Sequence, residues 1–177
     1  MFDTTQGETR ARFDAEQIQK LFPVHSKINV VVTDLAWPHV AGVRYWVAHG
    51  ATIISHPAAR PFLQRIIERR WTRNPDDLEK HREAKLKFVA VDSPKSLAGG
   101  KITIVPIDGI GSEVALACFV ANDRFLWASD YVQDLSEPTS YTTDVWNAVQ
   151  RARLDPKQVA AEHIELTDWE KIRALQR

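Results

Sequence analysis

At 177 residues, the chain is long enough for one domain with a substantial core and short for two. Its 23 basic and 23 acidic residues balance, which argues against a global field that attracts nucleic acid or an anionic membrane. Cys118 is the only cysteine, so a disulfide within the chain is excluded. Charged residues follow Met1 at once and no apolar run could span a bilayer, so we expect a cytoplasmic protein with no nucleic-acid or membrane partner.

The first half of the chain alternates helical and strand patterns after a polar start. Residues 1–12 are expected to form a loose tail, and residues 13–177 a single domain. The periodicities predict a helix over 13–22, a strand over 28–33, a helix over 41–49, a strand over 51–55, a helix over 57–72 and a shorter helical piece from 75. The strand–helix–strand spacing favours a right-handed crossover between parallel strands.

The second half is rich in short strands. We predict strands over 87–91, 101–106, 114–120, 125–129 and 158–161, and helices over 143–153 and 167–176. Thr167 is placed as the cap of the last helix, with Glu170 at the capping-box position. This order of elements predicts an α/β layered domain.

The most informative stretch runs from Val30 to Gly42, where a β-branched strand ending in Thr33 enters a loop and then a helix. This segment resembles the metallo-β-lactamase superfamily, in which a strand ending in Thr precedes a loop with the pattern His-x-His-x-Asp-His. The resemblance implies αββα layers. Because only 33 residues precede Asp34 and read as a tail and a helix, the N-terminal β layer is expected to be largely missing. The four ligand positions of the loop hold Asp34, Ala36, Pro38 and His39.

The resemblance continues to the end of the chain. Gly111 falls where the family places its next metal histidine, Asp130 where it places the metal-bridging aspartate, and His163 where it places the final histidine. The resemblance therefore implies that one of the two family metal sites has lost its three histidines and keeps only the carboxylate of Asp34. The other keeps His39, Asp130 and His163, which is a sufficient ligand set for one zinc or iron ion.

These residues imply two functions. The first is a hydrolase that holds at most one metal ion, which we expect to be zinc, and that has weak or lost activity. In this hydrolase Asp34 is free to act as a general base. The alternative is a non-catalytic binding or subunit-contact module, a pseudoenzyme in which His39 and His163 only hold hydrogen bonds and Trp37 fills the vacated volume. A homo-oligomer or a partner chain is expected to cover the exposed sheet.

Overall fold

The computed structural model describes residues 1–23, 27–109 and 113–176. Its first sheet has three short strands, and the first two of them are rich in β-branched residues. Its three strands run parallel in the order β1-β2-β3. They are β1 (Asn29–Val31), β2 (Thr52–Ser55) and β3 (Lys87–Ala90). Val30 and Ile53 are paired and both fully buried, so this sheet is held by apolar side chains of the kind that central parallel strands carry.

Helices make the crossovers that parallel strands require. The helices of this part are α1 (Glu8–Leu21), α2 (Trp37–Val40), α3 (Val43–Ala48), α4 (Arg60–Glu68) and α5 (Asp77–Lys80), with a 3₁₀ turn at Pro57–Ala59. Helix α3 contacts β2 as well as α1, α4 and α5, and its residues 43–47 are all buried. It is the central helix of the unit Met1–Ala90.

Residues 1–5 are part of this unit, which corrects the loose tail expected for 1–12. Phe2 forms a parallel bridge with Val31, and the Asp3 N–H donates to the Val31 carbonyl at 2.7 Å. Thr4 is fully buried. The segment is polar in sequence but ordered, because its backbone groups are satisfied by β1 and by the start of α3. Helix α1 then begins at Glu8, earlier than the predicted residue 13.

A buried arginine on α3 fixes the connection between α4 and α5. Arg44 forms a bidentate ion pair with Asp76 and donates to the carbonyls of Ile66 and Arg69, each at 2.8 Å. Burial acts to raise the pKa of Asp76, but hydrogen bonds from Arg44 and from the Glu79 N–H lower it on balance. The helix predicted over 57–72 therefore ends at Glu68, because Arg44 takes the carbonyls of its last turn.

Asp77 makes a second set of charged contacts, beside the pair of Arg44. Its Oδ2 lies 3.0 Å from Arg12 of α1 and 3.2 Å from His49 Nε2. Burial acts to raise the pKa of Asp77, but hydrogen bonds from His49 and Lys80 and the charge of Arg12 outweigh it and lower the pKa to about 2. Burial and the Asp77 charge raise the pKa of nearby Glu8. These contacts tie α1 to α3 and α5.

The second unit, Val91–Arg177, contains one six-stranded sheet in sequential order. Neighbouring strands are antiparallel except β7 and β8, which are parallel and joined through α6. The strands are β4 (Lys95–Leu97), β5 (Ile102–Pro106), β6 (Leu116–Val120), β7 (Phe125–Trp127), β8 (Gln158–Ala161) and β9 (Ile164–Asp168), and the helices are α6 (Ser140–Arg151) and α7 (Trp169–Ala174), with a 3₁₀ turn at Ala98–Gly100.

Both helices of this unit contribute to its core, which contains Leu126 and Val159 from the sheet, Val145 from α6 and Ile172 from α7. The predicted capping box of the last helix is wrong. Thr167 lies in β9, and the N-cap residue Asp168 makes no side-chain capping hydrogen bond. The predicted single domain over 13–177 stays a prediction, since the contacts group the chain into the two units named above.

In the part of the chain that the structure describes, no helix is both long and apolar enough to cross a membrane.

Candidate functional site

The loop that follows β1 leaves the sheet at the carboxyl ends of parallel strands, where α/β proteins commonly place their sites. The Val32 N–H still donates to the Ile54 carbonyl at 2.9 Å, so the sheet pairing extends to this residue. Asp34 then turns the chain, because its Oδ1 accepts from the Ala36 N–H at 2.6 Å. Helix α2 begins directly afterwards at Trp37.

His39 lies on α2 and is 1% exposed. Its Nδ1 is 3.2 Å from Asp3 Oδ2 and 3.4 Å from Thr33 Oγ1. Its backbone carbonyl accepts from both the N–H and the hydroxyl of Thr4, at 3.0 and 2.8 Å. Ring and backbone are therefore both fixed within the first unit.

Asp3 is the residue that orients this ring, and the sequence analysis missed it. Its Oδ1 accepts from the Thr33 N–H at 2.9 Å and from the Thr33 hydroxyl at 2.8 Å, which leaves Oδ2 facing His39. We assign the imidazole proton to Nδ1 because that nitrogen faces a carboxylate. The lone pair then lies on Nε2, as in metal-ligating histidines whose other nitrogen is held by a carboxylate.

Asp130 and His163 are brought together within the second unit. Strands β7 and β8 are parallel, with Trp127 opposite Ala160, so the residues that follow both strands meet at one edge of the sheet. His163 Nε2 lies 2.7 Å from Asp130 Oδ1. The His163 side chain is 54% exposed and that of Asp130 is 29% exposed. The prediction that these two residues share a site is consistent with this contact.

Glu162 is a further donor that the sequence analysis did not select. Its N–H donates to the Ser129 carbonyl at 2.9 Å, which places it beside the residue that precedes Asp130. A carboxylate oxygen of Glu162 and one of Asp130 lie within 4.8 Å of each other. Its position between β8 and His163 was the available signal, and the residue was passed over because it matches no ligand position of the family pattern.

The remaining positions of the expected ligand pattern do not contribute donors. Ala36 and Pro38 have no side-chain donor atom, and Gly111 lies outside the described residues. Trp37 is 67% exposed, so it does not fill a vacated metal site, and that part of the alternative interpretation is wrong. His39 lies in the first unit and Asp130 and His163 in the second, and the three-residue ligand set remains a prediction.

Comparison with solved structures identifies the fold, although no protein-family model matches the sequence and no curated protein matches it. The DIM-1 metallo-β-lactamase aligns with a TM-score of 0.70 at 13% sequence identity, over 99% of this chain and 78% of that protein. A metallo-β-lactamase from Pontibacter korlensis aligns with a TM-score of 0.68 at 15% identity, over 98% of this chain and 79% of that one.

The metallo-β-lactamase FIM-1 from Pseudomonas aeruginosa, in its mono-zinc form, aligns with a TM-score of 0.66 at 13% identity, over 99% of this chain and 76% of its own. These identities are low, and the likeness lies in the arrangement of helices and strands. The resemblance expected from the loop after β1 and the predicted α/β class are both confirmed at the level of the fold. The chain has a divergent metallo-β-lactamase fold.

Proposed function

We propose that this protein is hydrolase-like and holds at most one metal ion, at His39, Asp130 and His163, with weak or lost hydrolytic activity. The observation that carries the proposal is the contact of His163 Nε2 with Asp130 Oδ1, 2.7 Å apart where β7 and β8 end. The orientation of His39 by Asp3 supports it, because a fixed imidazole tautomer is what a metal ligand needs. The mono-zinc form of the neighbour FIM-1 makes a single ion a reasonable expectation for this fold.

The chemistry of the donor set fits zinc. Two imidazoles and one carboxylate are a common catalytic set, and Glu162 offers an additional carboxylate. The exposed His163 side chain has room to separate from Asp130 by the small distance that a shared ion at about 2 Å from each donor needs. The second ion of the family pattern would need donors at Ala36 and Gly111, and neither residue type has a side-chain donor atom.

The chain's own residues explain why turnover is expected to be weak. A zinc ion bound by these residues would lower the pKa of a bound water toward about 7 and polarise a carbonyl or phosphoryl oxygen. Asp34 is the base that we assign, but its Oδ1 already accepts the Ala36 N–H at 2.6 Å, so one of its two carboxylate oxygens is engaged in the turn. No second cation assists it. β-Lactams, thioesters, lactones and phosphoesters remain open as substrates.

Metal content tests the proposal directly. Protein purified without chelator should retain close to one equivalent of zinc after incubation and desalting, and His163→Ala should lose most of it. His81→Ala is the matched control, since this histidine has an exposed side chain paired with Glu83 and should retain the metal. Less than about one tenth of an equivalent, unchanged in His163→Ala, would reject the metal site and favour the non-catalytic module.

The role of Asp3 gives a second test of the same proposal. Asp3→Asn keeps the shape but weakens the contact to His39 Nδ1, and it should reduce zinc affinity about 10- to 100-fold, measured by competition with a chromophoric chelator. Hydrolysis of a chromogenic cephalosporin, followed in the same samples, measures the residual turnover.

The partner that we expect to cover the exposed sheet, either a second copy or another chain, remains part of this proposal. Sedimentation velocity over a range of concentrations tests self-association. A monomer at every concentration would leave only a different partner chain.

A further inference from the structure

The loop after α4 concentrates positive charge around an exposed aromatic ring. Its residues, which we call the basic loop, are Arg69, Arg70, Trp71, Thr72, Arg73 and Asn74. These residues alone line an open depression of about 510 Å³. The basic loop contains no acidic residue, and it is not part of the metal site proposed above.

The backbone of the basic loop is held in place by hydrogen bonds with side chains of neighbouring segments. Arg44 donates to the Arg69 carbonyl at 2.8 Å, and the Glu79 carboxylate accepts from the Trp71 N–H at 3.1 Å. Arg82 donates to the Ile67 carbonyl at 3.0 Å, just before the loop. A loop with these fixed points loses little conformational entropy when a ligand binds.

The acidic residues near the basic loop are mostly engaged by internal partners. Asp76 is buried in its pair with Arg44, and Glu79 pairs with Arg70 at 2.6 Å. Glu68 stays exposed at the end of α4, where it accepts a hydrogen bond from Gln64. The zero net charge of the chain therefore does not describe the charge at this surface.

Two cations of the basic loop face solvent. Arg69 and Arg73 are exposed, and within the described part of the chain the structure gives neither of them an ion pair. Trp71 lies between them in sequence and is 41% exposed. The Arg44 guanidinium lies 4.9 Å from the centre of its ring, so this buried cation supports the indole from the protein side.

We propose that the basic loop binds single-stranded nucleic acid, with phosphates at Arg69 and Arg73 and a base stacked on Trp71. The ligand must combine anions in series with flat aromatic groups, and single-stranded nucleic acid has both. A lipid surface would provide the anions but no planar group for the indole. The expectation of no nucleic-acid partner was based on the net charge of the whole chain, and the proposal rests on the local charge of the basic loop.

Fluorescence anisotropy with a labelled oligothymidine tests the proposal on the full chain. Binding should be detectable at low salt and should weaken as salt is added. The slope of log K against log salt concentration should be near −1.4, the value for about two phosphate contacts on a single strand. Arg69→Gln/Arg73→Gln should abolish most of that slope. Lys20→Gln/Lys101→Gln is the control of equal charge, since both lysines are exposed and distant in sequence from the basic loop, and it should bind as the parent does.

Trp71 separates stacking from charge. Trp71→Ala should weaken oligothymidine binding about tenfold and leave binding of an abasic oligomer of equal length unchanged. Trp71→Phe, which keeps a ring over Arg44, should lose less, and it serves as the test if the alanine variant does not fold. Equal binding by the parent and the double arginine variant would overturn the proposal. The proposal would also be overturned if the protein did not bind the oligonucleotide but bound phosphatidylserine vesicles in a way that depends on Trp71. That result would indicate that the basic loop contacts a membrane surface instead.

Discussion

The prediction with the largest expected effect concerns Arg44, a residue that is 3% exposed and whose guanidinium makes five hydrogen bonds. Arg44→Met keeps the aliphatic volume and removes the charge. The carboxylate of Asp76 then stays buried without its partner, and the carbonyls of Ile66, Ile67 and Arg69 lose a donor. Breaking a buried ion pair in this way costs about 3–5 kcal/mol. The free energy of unfolding of an ordinary domain is about 5–15 kcal/mol, so this loss is a large part of it.

Urea unfolding followed by tryptophan fluorescence and circular dichroism measures this cost. Asp76→Asn keeps a side-chain oxygen that can accept from the Glu79 N–H at the start of α5. Its effect on stability therefore reports mainly on the loss of the negative charge. The double variant Arg44→Met/Asp76→Asn should cost less than the sum of the two single variants, because it leaves no unpaired buried charge. A loss of less than about 1 kcal/mol in Arg44→Met, or strict additivity in the double variant, would refute the reasoning.

Three further predictions concern stability. Gly42→Ala should cost about 3 kcal/mol in urea unfolding, because a Cβ at this position would lie 2.0 Å from the Thr4 carbonyl oxygen; unchanged stability would contradict the assigned close approach. The pKa of Asp77 is lowered from 3.8 to about 2, so the stability that it contributes is present above about pH 4 and is lost as the pH falls toward 2, by about 2 kcal/mol; Asp77→Asn should make the free energy of unfolding nearly independent of pH over this range. Thr139→Ala removes the acceptor of the Thr142 N–H at the start of α6 and should cost about 1 kcal/mol, whereas Thr139→Ser should not.

The parts of the fold that the sequence predicts well are those with strong local patterns. The apolar runs around Val30 and Ile53 predict two strands and a crossover between them, and the structure pairs these residues in parallel register. The strand β9 was missed because its residues Glu165 and Leu166 are exposed at the edge of the sheet, where no apolar alternation is needed. Thr167 then looks like a helix cap, although it belongs to this edge strand.

The candidate site was predictable in part from the family resemblance. Asp130 and His163 were selected because they fall where the metallo-β-lactamase pattern places metal ligands, and the parallel pairing of β7 with β8 puts both at one edge of the sheet. Asp3 was missed because its partner Thr33 is 30 residues away and only tertiary pairing of the first residues with β1 brings the two together. A polar segment that is ordered by backbone hydrogen bonds has no periodicity by which it could be recognised.

The close approach at Gly42 also helps in reading the sequences of related proteins. Thr4 approaches this position so closely that any other residue would push the first residues away from β1 and, with them, the carboxylate behind His39. In a newly found relative, glycine at the aligned position would mark a chain that can retain the aspartate–histidine contact. A bulkier residue there would mark a chain that has lost this contact, so a single column of an alignment would show which relatives can keep it.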